Sequence, residues 1–246
     1  PTGFKYIAAV LKSIDESGNY QGTFHASPEG FLLGTEESHG YLVTGSVRDK
    51  DAAGASLLLA ELAARLKEKG ESISSYLDGI YLEIGYAATH TISTVMLGAQ
   101  GHLNIRSAQD QLRQDPPEVI GGRRVEAVFD YSDEQGPGGR LLSDTDRMAR
   151  NILEFKLSDG ARVLARPSGT EPKHKIYAEV PSPALGQEAP IEDLNNQKIE
   201  TDEVAVKLAS DFQGEMLRRI GFELPALALE ISDLVPLESK QDFTGS

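Results

Sequence analysis

Residues 161–180 read ARVLARPSGTEPKHKIYAEV. Two apolar runs, Ala161–Ala165 and Ile176–Val180, flank a polar octapeptide, Arg166-Pro167-Ser168-Gly169-Thr170-Glu171-Pro172-Lys173. Short apolar runs rich in β-branched residues and bounded by Gly and Pro are strand signals, so the stretch predicts strand–loop–strand. The loop has the chemistry of an anion cradle. A phosphate dianion calls for converging donors and local positive charge, and this octapeptide offers a guanidinium fork, Lys173, two hydroxyls and a glycine whose backbone can approach closely. Pro-Ser-Gly-Thr alone is also an ordinary turn. It is the whole octapeptide that favours phosphate.

Working outward, 246 residues suit one large domain or two modest ones. Hydrophobic residues make up 39% of the chain, enough for a real core, and the absence of cysteine excludes disulfides, thiolate metal sites and cysteine nucleophiles. A net charge of −14, from 24 Lys and Arg against 38 Asp and Glu, opposes nonspecific binding to nucleic acid or anionic lipid. No apolar run approaches the roughly 20 residues that cross a bilayer, and no basic-then-apolar leader opens the chain. A soluble, cytoplasmic protein is expected. The opening Pro1-Thr2-Gly3-Phe4-Lys5 lacks an initiator Met, as in a processed product or a piece of something longer.

The remaining elements follow from periodicity. Tyr6–Leu11 and Gly30–Leu33 read as short buried strands. Ala55, Leu58, Leu59, Leu62 and Leu66 repeat at helical spacing and predict a helix over Asp51–Lys69, with Asp51 as N-cap and Gly70 as its stop. A second helix is expected over Ser72–Leu82, a strand over Thr89–Met96 and a short helix over Ser107–Gln114. Arg124–Tyr131 and Ile152–Leu157 are further strands. Pro181–Glu200 is polar and reads as a loop, after which Thr201 caps a last helix whose stripe is Val204, Leu208, Phe212 and Met216. A final strand is conceivable from about Leu224. The expected architecture is an α/β block with a mixed sheet and helices, followed by an α+β domain, with the boundary near residue 80 (1–80 and 81–246).

A second polar cluster runs Gly34-Thr35-Glu36-Glu37-Ser38-His39-Gly40, followed by Val47-Arg48-Asp49-Lys50-Asp51. Carboxylates and a hydroxyl after a buried strand suit a polyhydroxyl ligand, and cations ahead of a helix N-terminus suit an anion. Both stretches are equally compatible with solvated loops and helix capping. Lys5, beside a strand, reads from its spacing chiefly as a solvated charge. The five histidines show no metal-ligand spacing, and Asp144-Thr145-Asp146-Arg147 lacks the glycine and third carboxylate of a hard-cation loop, so it reads as a polar turn before the strand at Ile152 and no metal site is expected here.

In this order, the TGFK start, GTEESHGYL, VRDKDA and RPSGTEPK resemble the α-D-phosphohexomutase family, in particular its phosphoglucomutase-like branch. The resemblance implies a four-domain isomerase of carbohydrate metabolism that shuttles a phosphoryl group between the C1 and C6 hydroxyls of a hexose. It does so through an enzyme phosphoserine, Mg²⁺ and a hexose 1,6-bisphosphate intermediate. Carried onto this chain, it implies that Arg166, Ser168, Gly169, Thr170 and Lys173 hold the non-reacting phosphate. It further implies that Glu36 and Ser38 bind sugar hydroxyls, that Lys50 moves the proton at the reacting oxygen, and that Arg48 and Lys5 are further substrate contacts. The family's phosphoserine loop and its DGDxDR magnesium loop have no counterpart in the sequence. The chain therefore resembles the later part of the sugar-binding third domain plus the phosphate-binding fourth domain. Its expected partners are a phosphosugar and the N-terminal catalytic domains of the same protein, with the Mg²⁺ ligands outside the segment and the segment inert by itself. Phosphomannomutase, phosphopentomutase and a non-catalytic phosphosugar-binding module are the alternatives.

Overall fold

The computed structural model describes residues 3–20, 24–36, 40–141, 144–169, 171–225, 228, 231–232 and 234–241. The chain divides into two compact units, Pro1–Leu77 and Asp78–Ser246. No helix among the described residues is long and apolar enough to cross a membrane.

The first unit opens with helix α1, Lys5–Ser17, in place of the strand expected over Tyr6–Leu11. Phe4, Ile7, Leu11 and Ile14 recur every three to four residues, which lines one face of a helix, and a six-residue window is too short to reveal that period. Phe4 and Leu11 bury against Leu42, with Ile7 and Phe31 packed alongside. Gly18 stops the helix in the left-handed region at φ 68°, donating its N–H to Ile14 O. Strands β1, Asn19–Tyr20, and β2, Phe24–His25, form a small antiparallel pair. The run Gly30–Leu33, expected as a strand, is instead the end of a 3₁₀ turn, Pro28–Gly30, and an extended stretch outside any sheet. Pro28 supplies the fixed φ that starts such a turn. Strand β3, Gly34–Glu36, then pairs antiparallel with β4, Gly40–Leu42, setting Glu36 directly opposite Gly40. Helix α2, Ala52–Glu68, starts as expected: an Asp51 carboxylate oxygen accepts the Gly54 N–H at 3.0 Å, and Arg65 and Lys67 occupy the last turn. Helix α3, Ile73–Ile84, contains the division between the units.

The second unit is built on a six-stranded antiparallel sheet. Its strands are β5 (Ala87–Val95), β6 (Val119–Ile120), β7 (Arg123–Asp130), β8 (Leu153–Leu157), β9 (Arg162–Pro167) and β10 (Lys173–Pro181), in spatial order β5-β10-β9-β8-β7-β6. Helices α4, Gly98–Gln114, and α6, Ile191–Arg219, pack on one face, α4 against β9 and α6 against β5 and β10. That face is apolar by alternation: Ile92, Ile176, Ala178, Val163, Phe155 and Leu157 point to the helices and meet Leu208, Phe212 and Met216. Short helices α5, Asp144–Ala149, and α7, Leu237–Gln241, complete the unit.

Further expectations need correction here. Helix α4 begins at Gly98 rather than Ser107, because its first turns carry glycines and exposed polar residues and bury little. The expected loop over Pro181–Glu200 becomes helix from Ile191. Only Leu194 is buried in those first turns, so no apolar stripe marks them. Thr201 consequently lies inside α6, where its hydroxyl donates to Gln197 O at 2.6 Å instead of capping a terminus. Asp144–Arg147 is not a turn but the start of α5, and Asp146 is buried 3.4 Å from the equally buried Arg150. No strand follows Leu224 among the described residues.

Candidate functional site

Strands β9 and β10 place the octapeptide at one end of the large sheet. Across its mouth, Ser168 N–H donates to Lys173 O at 2.9 Å, and Lys173 N–H turns back to Glu171 O at 2.8 Å. The Ser168 hydroxyl oxygen accepts the Glu171 N–H at 3.2 Å, and Met96 N–H at the end of β5 donates to Pro172 O at 2.9 Å. The loop is thus a hydrogen-bonded turn, anchored on both stems. A side-chain carbon built onto Gly169 would meet nothing within 4 Å, so its backbone faces open space.

The register decides which side chains gather there. His174 and Ile176 face the helices, so Lys173, Lys175 and Tyr177 face the other way. On this open face Arg166 lies directly opposite Lys175, and Lys175 directly opposite Ser93. Residues so paired approach to roughly 5 Å, and like charges in that position repel until an anion lies between them. The Lys175 side chain makes no hydrogen bond or ion pair among the described residues. Lys173 binds Glu171 at 2.8 Å, and this ammonium first, with Lys175 adding, holds the Glu171 carboxyl below its usual range. Arg166, Ser168, Gly169 and Lys173 therefore share one end of one sheet, while Thr170 lies outside the described residues. Lys175 is the residue that sequence reasoning missed. Its signal was the two-residue alternation from Lys173 to Val180, which continues the strand back through it.

In the first unit the β3–β4 pair and the α2 start bring two of the candidates together. Lys50 Nζ lies 2.6 Å from Glu36 Oε1, and the Glu36 side chain is nearly buried. Gly40 makes room for this pair, since an added Cβ would come within 2.8 Å of Glu36 Cγ and 2.9 Å of Lys50 Cε. Asp51 N–H donates to Tyr41 O at 2.8 Å, which ties the α2 start to β4 and holds Lys50 in place. The other candidates lie apart from this contact. Arg48 pairs with Asp15 of α1 at 2.5 Å, and Lys5 stands 5.1 Å over the Tyr6 ring on the first turn of that helix. Ser38 lies outside the described residues. No group of three or more His, Asp or Glu side chains is placed to hold a metal ion among the described residues.

Chemically, the first unit presents a carboxylate–ammonium pair and the second a cation-rich loop with amide and hydroxyl donors. The former suits hydroxyl recognition with a proton close by, the latter a phosphate monoester.

Comparison with known proteins follows the same division. A family model described as phosphoglucomutase/phosphomannomutase, alpha/beta/alpha domain III, matches residues 1–83, and the C-terminal domain model of the same family matches residues 122–190. Phosphoglucomutase from Staphylococcus epidermidis is 35% identical over 184 residues, 73% of this chain and 31% of that protein. The enzymes of Staphylococcus haemolyticus and Staphylococcus aureus are 34% and 32% identical, covering 71% and 74% of this chain and 30% and 31% of theirs. The chain thus spans about a third of the length of the curated relatives it matches. Among solved structures, parafusin, a phosphoglucomutase from Paramecium in its open form, superposes with a TM-score of 0.50 at 18% identity, over 92% of this chain and 35% of that one. At that identity the likeness is one of fold.

Proposed function

The chain belongs to the α-D-phosphohexomutase family, across that family's domain III and C-terminal domain, and we propose that it forms the sugar- and phosphate-binding part of a phosphoglucomutase interconverting glucose 1-phosphate and glucose 6-phosphate. The observation that carries this reading is the opposed pair Arg166 and Lys175 beside Ser168 on the open face of the sheet. It is a cationic pair in a protein of net charge −14, at a loop whose amide and hydroxyl donors suit an anion. Glucose is favoured over mannose by the Glu-Glu-Ser form of the 34–40 loop.

In this reading the residues near 166–175 hold the ester that is not reacting, which fixes the sugar so that its far hydroxyl meets the transferring group. Glu36 accepts sugar hydroxyls. Lys50 hands the proton to or from the reacting oxygen, its ammonium held by the carboxylate beside it. Thr170 and Ser38 complete the two contacts, with Arg48 and Lys5 at the margin of the sugar site. The family's chemistry uses an enzyme phosphoserine, Mg²⁺ and a hexose 1,6-bisphosphate. The described carboxylates do not fit a Mg²⁺ site: Asp146 is taken by Arg150, and no three His, Asp or Glu side chains converge among the described residues. This chain's part is accordingly positioning and proton handling, with the N-terminal domains of the same protein, in the cytoplasm, supplying the phosphoryl chemistry. These 246 residues alone are inert in this reading, and turnover of glucose 1-phosphate by them, with Mg²⁺ and a bisphosphate primer, would overturn that.

Calorimetric titration with glucose 6-phosphate tests the binding role. Arg166→Ala should lose about 2 kcal/mol or more, the worth of a charged hydrogen bond. Unchanged affinity in the folded variant would remove the phosphate site from this loop.

A further inference from the structure

The helix-facing side of the sheet is apolar except at one end, and that end is the one carrying the phosphate loop. There four buried polar side chains lie in a row. His174, fully buried on β10, has its Nε2 2.9 Å from Gln109 Oε1 of α4. Gln109 Nε2 donates in turn to Ala165 O at 3.3 Å, the carbonyl of the peptide that leads into Arg166. Across the ladder, Thr94 is the direct partner of His174, and its hydroxyl oxygen accepts from Gln213 Nε2 of α6 at 2.8 Å. Each helix therefore reaches into the sheet with one glutamine, immediately behind the loop stems.

We propose that this buried seam, Gln109–His174 with Thr94–Gln213 beside it, is a positioning device that sets the stems of the 166–173 loop for anion binding. The inference rests on reading that loop as the phosphate site.

Stability does not account for the seam. Burying polar groups is costly even when they are partnered, and an apolar pair of the same shape is often as stable or more so. Here two acceptors, His174 Nδ1 and Gln213 Oε1, are buried without a hydrogen-bond partner, which raises that cost. What the polar pair supplies is direction. The amide of Gln109 points its nitrogen at Ala165 O, so its oxygen faces His174. The imidazole proton therefore sits on Nε2, in a single tautomer. Burial depresses the imidazole to about 4, so at neutral pH it remains uncharged behind the phosphate site and the bond keeps its sense. The local ladder is built to match. Because Ser168 N–H bonds Lys173 O, the next pair, Pro167 and His174, is the one without mutual hydrogen bonds. A proline at that position costs the ladder nothing, and paired side chains there approach most closely. Pro167 and Gln109 line the same small crevice behind the loop. Arg166 is thus held from behind by Ala165 O and beside by Pro167, without any side chain of the seam reaching the open face.

The test compares glucose 6-phosphate affinity and unfolding midpoint at pH 7 in the 246-residue chain, in Arg166→Ala and in the double variant Gln109→Met with His174→Phe. The double variant swaps both partners for apolar groups of similar shape. The expected result is a midpoint at or above that of the parent with affinity about tenfold lower, the scale of one lost hydrogen bond. Parent affinity in the folded double variant overturns the inference, and the phosphate reading survives if Arg166→Ala still weakens binding. An Arg166→Ala variant with parent affinity overturns that reading first. Should the double variant fail to fold, nitrogen NMR of the parent decides: saturation with glucose 6-phosphate should shift the His174 Nε2–H signal, and an unchanged signal overturns the inference.

Discussion

In the second unit the rings of Phe155 and Phe212 meet at 5.3 Å inside a continuous core, whereas in the first Leu57, Leu58 and Leu59 of α2 stand 72%, 52% and 52% exposed. Both regions have apolar residues at helical spacing, and only one of them has something to pack them against. Helices α4 and α6 lie on a six-stranded sheet, while α2 has the short β3–β4 pair beside it and buries Leu66 alone. Leu33, Tyr41, Val43, Leu58, Leu59 and Leu62 line an open groove of about 410 Å³. Helical propensity and capping contribute a few kcal/mol at most, so a helix without tertiary burial opens easily. The 166–173 loop therefore rests on the more stable scaffold, and the Glu36–Lys50 pair on the less stable one.

The sharpest way to break this contrast is to truncate one side chain in each unit. Phe155→Ala should cost about 3–5 kcal/mol in urea unfolding, since it removes a wholly buried ring and leaves a cavity. Leu57→Ala, at an exposed position, should stay within about 0.5 kcal/mol. Comparable losses from the two would show that the α2 leucines are buried in solution.

A second difference lies in pH response, because the fully buried histidine belongs to the second unit. An imidazole protonates near 6.5 in an unfolded chain and at about 4 in this fold, through burial. Between those values the unfolded state binds more protons, so stability rises with pH. The contribution is complete above about pH 6.5 and is lost as pH falls toward 4, amounting to about 3 kcal/mol. Depressed carboxyls act below that window: Asp130, held down by Arg113 and Ser132, and Asp159, held down by Arg123, both against their own burial. Urea unfolding at pH 7 and 4.5 should give a much smaller loss in His174→Phe than in the parent, and equal losses would place the acid sensitivity elsewhere.

How far the sequence revealed each unit follows the same physics. Strands β8, β9 and β10 were legible because a buried sheet face imposes strict alternation. The RPSGTEPK loop was legible because its donors are consecutive. Lys175 was not, since it contributes through a neighbouring strand and only register shows that it opposes Arg166. In the first unit, Glu36 and Lys50 each stood out as polar residues near strand and helix ends, but their 2.6 Å contact depends on a hairpin that no local pattern encodes. Helix α1 was misread because its apolar period needs the span from Phe4 to Ile14. The start of α6 was hidden because a helix that buries one leucine in three turns looks like a loop.

Asp51 offers a smaller probe of the weakly packed unit. Its carboxylate satisfies the Gly54 N–H at the start of α2, and Asp51→Ala should cost about 1 kcal/mol. Because α2 has little other support, that loss should appear as faster amide exchange confined to residues 52–68, with β9 and β10 unaffected. Acceleration spread over both units would mean that they unfold as one.

Gly40→Ala should have the smallest effect on stability and the most local one on the site. The added methyl would come within 2.8 Å of Glu36 Cγ and Oε1 and 2.9 Å of Lys50 Cε, all in flexible side chains. These can swing aside, so the unfolding free energy should change by less than about 1 kcal/mol, below the usual range for overpacking a rigid core. They cannot swing aside and keep their contact, because the hairpin register fixes Glu36 opposite residue 40 while Asp51 N–H on Tyr41 O fixes the chain next to Lys50. The pair should open, and binding of glucose 6-phosphate should weaken in proportion to what Glu36 contributes through sugar hydroxyls, while binding of inorganic phosphate, which has none, should be unchanged. A variant that loses affinity for both would tie the ion pair to the phosphate rather than the sugar; one that loses neither would leave Glu36 and Lys50 a surface salt bridge in the less stable unit.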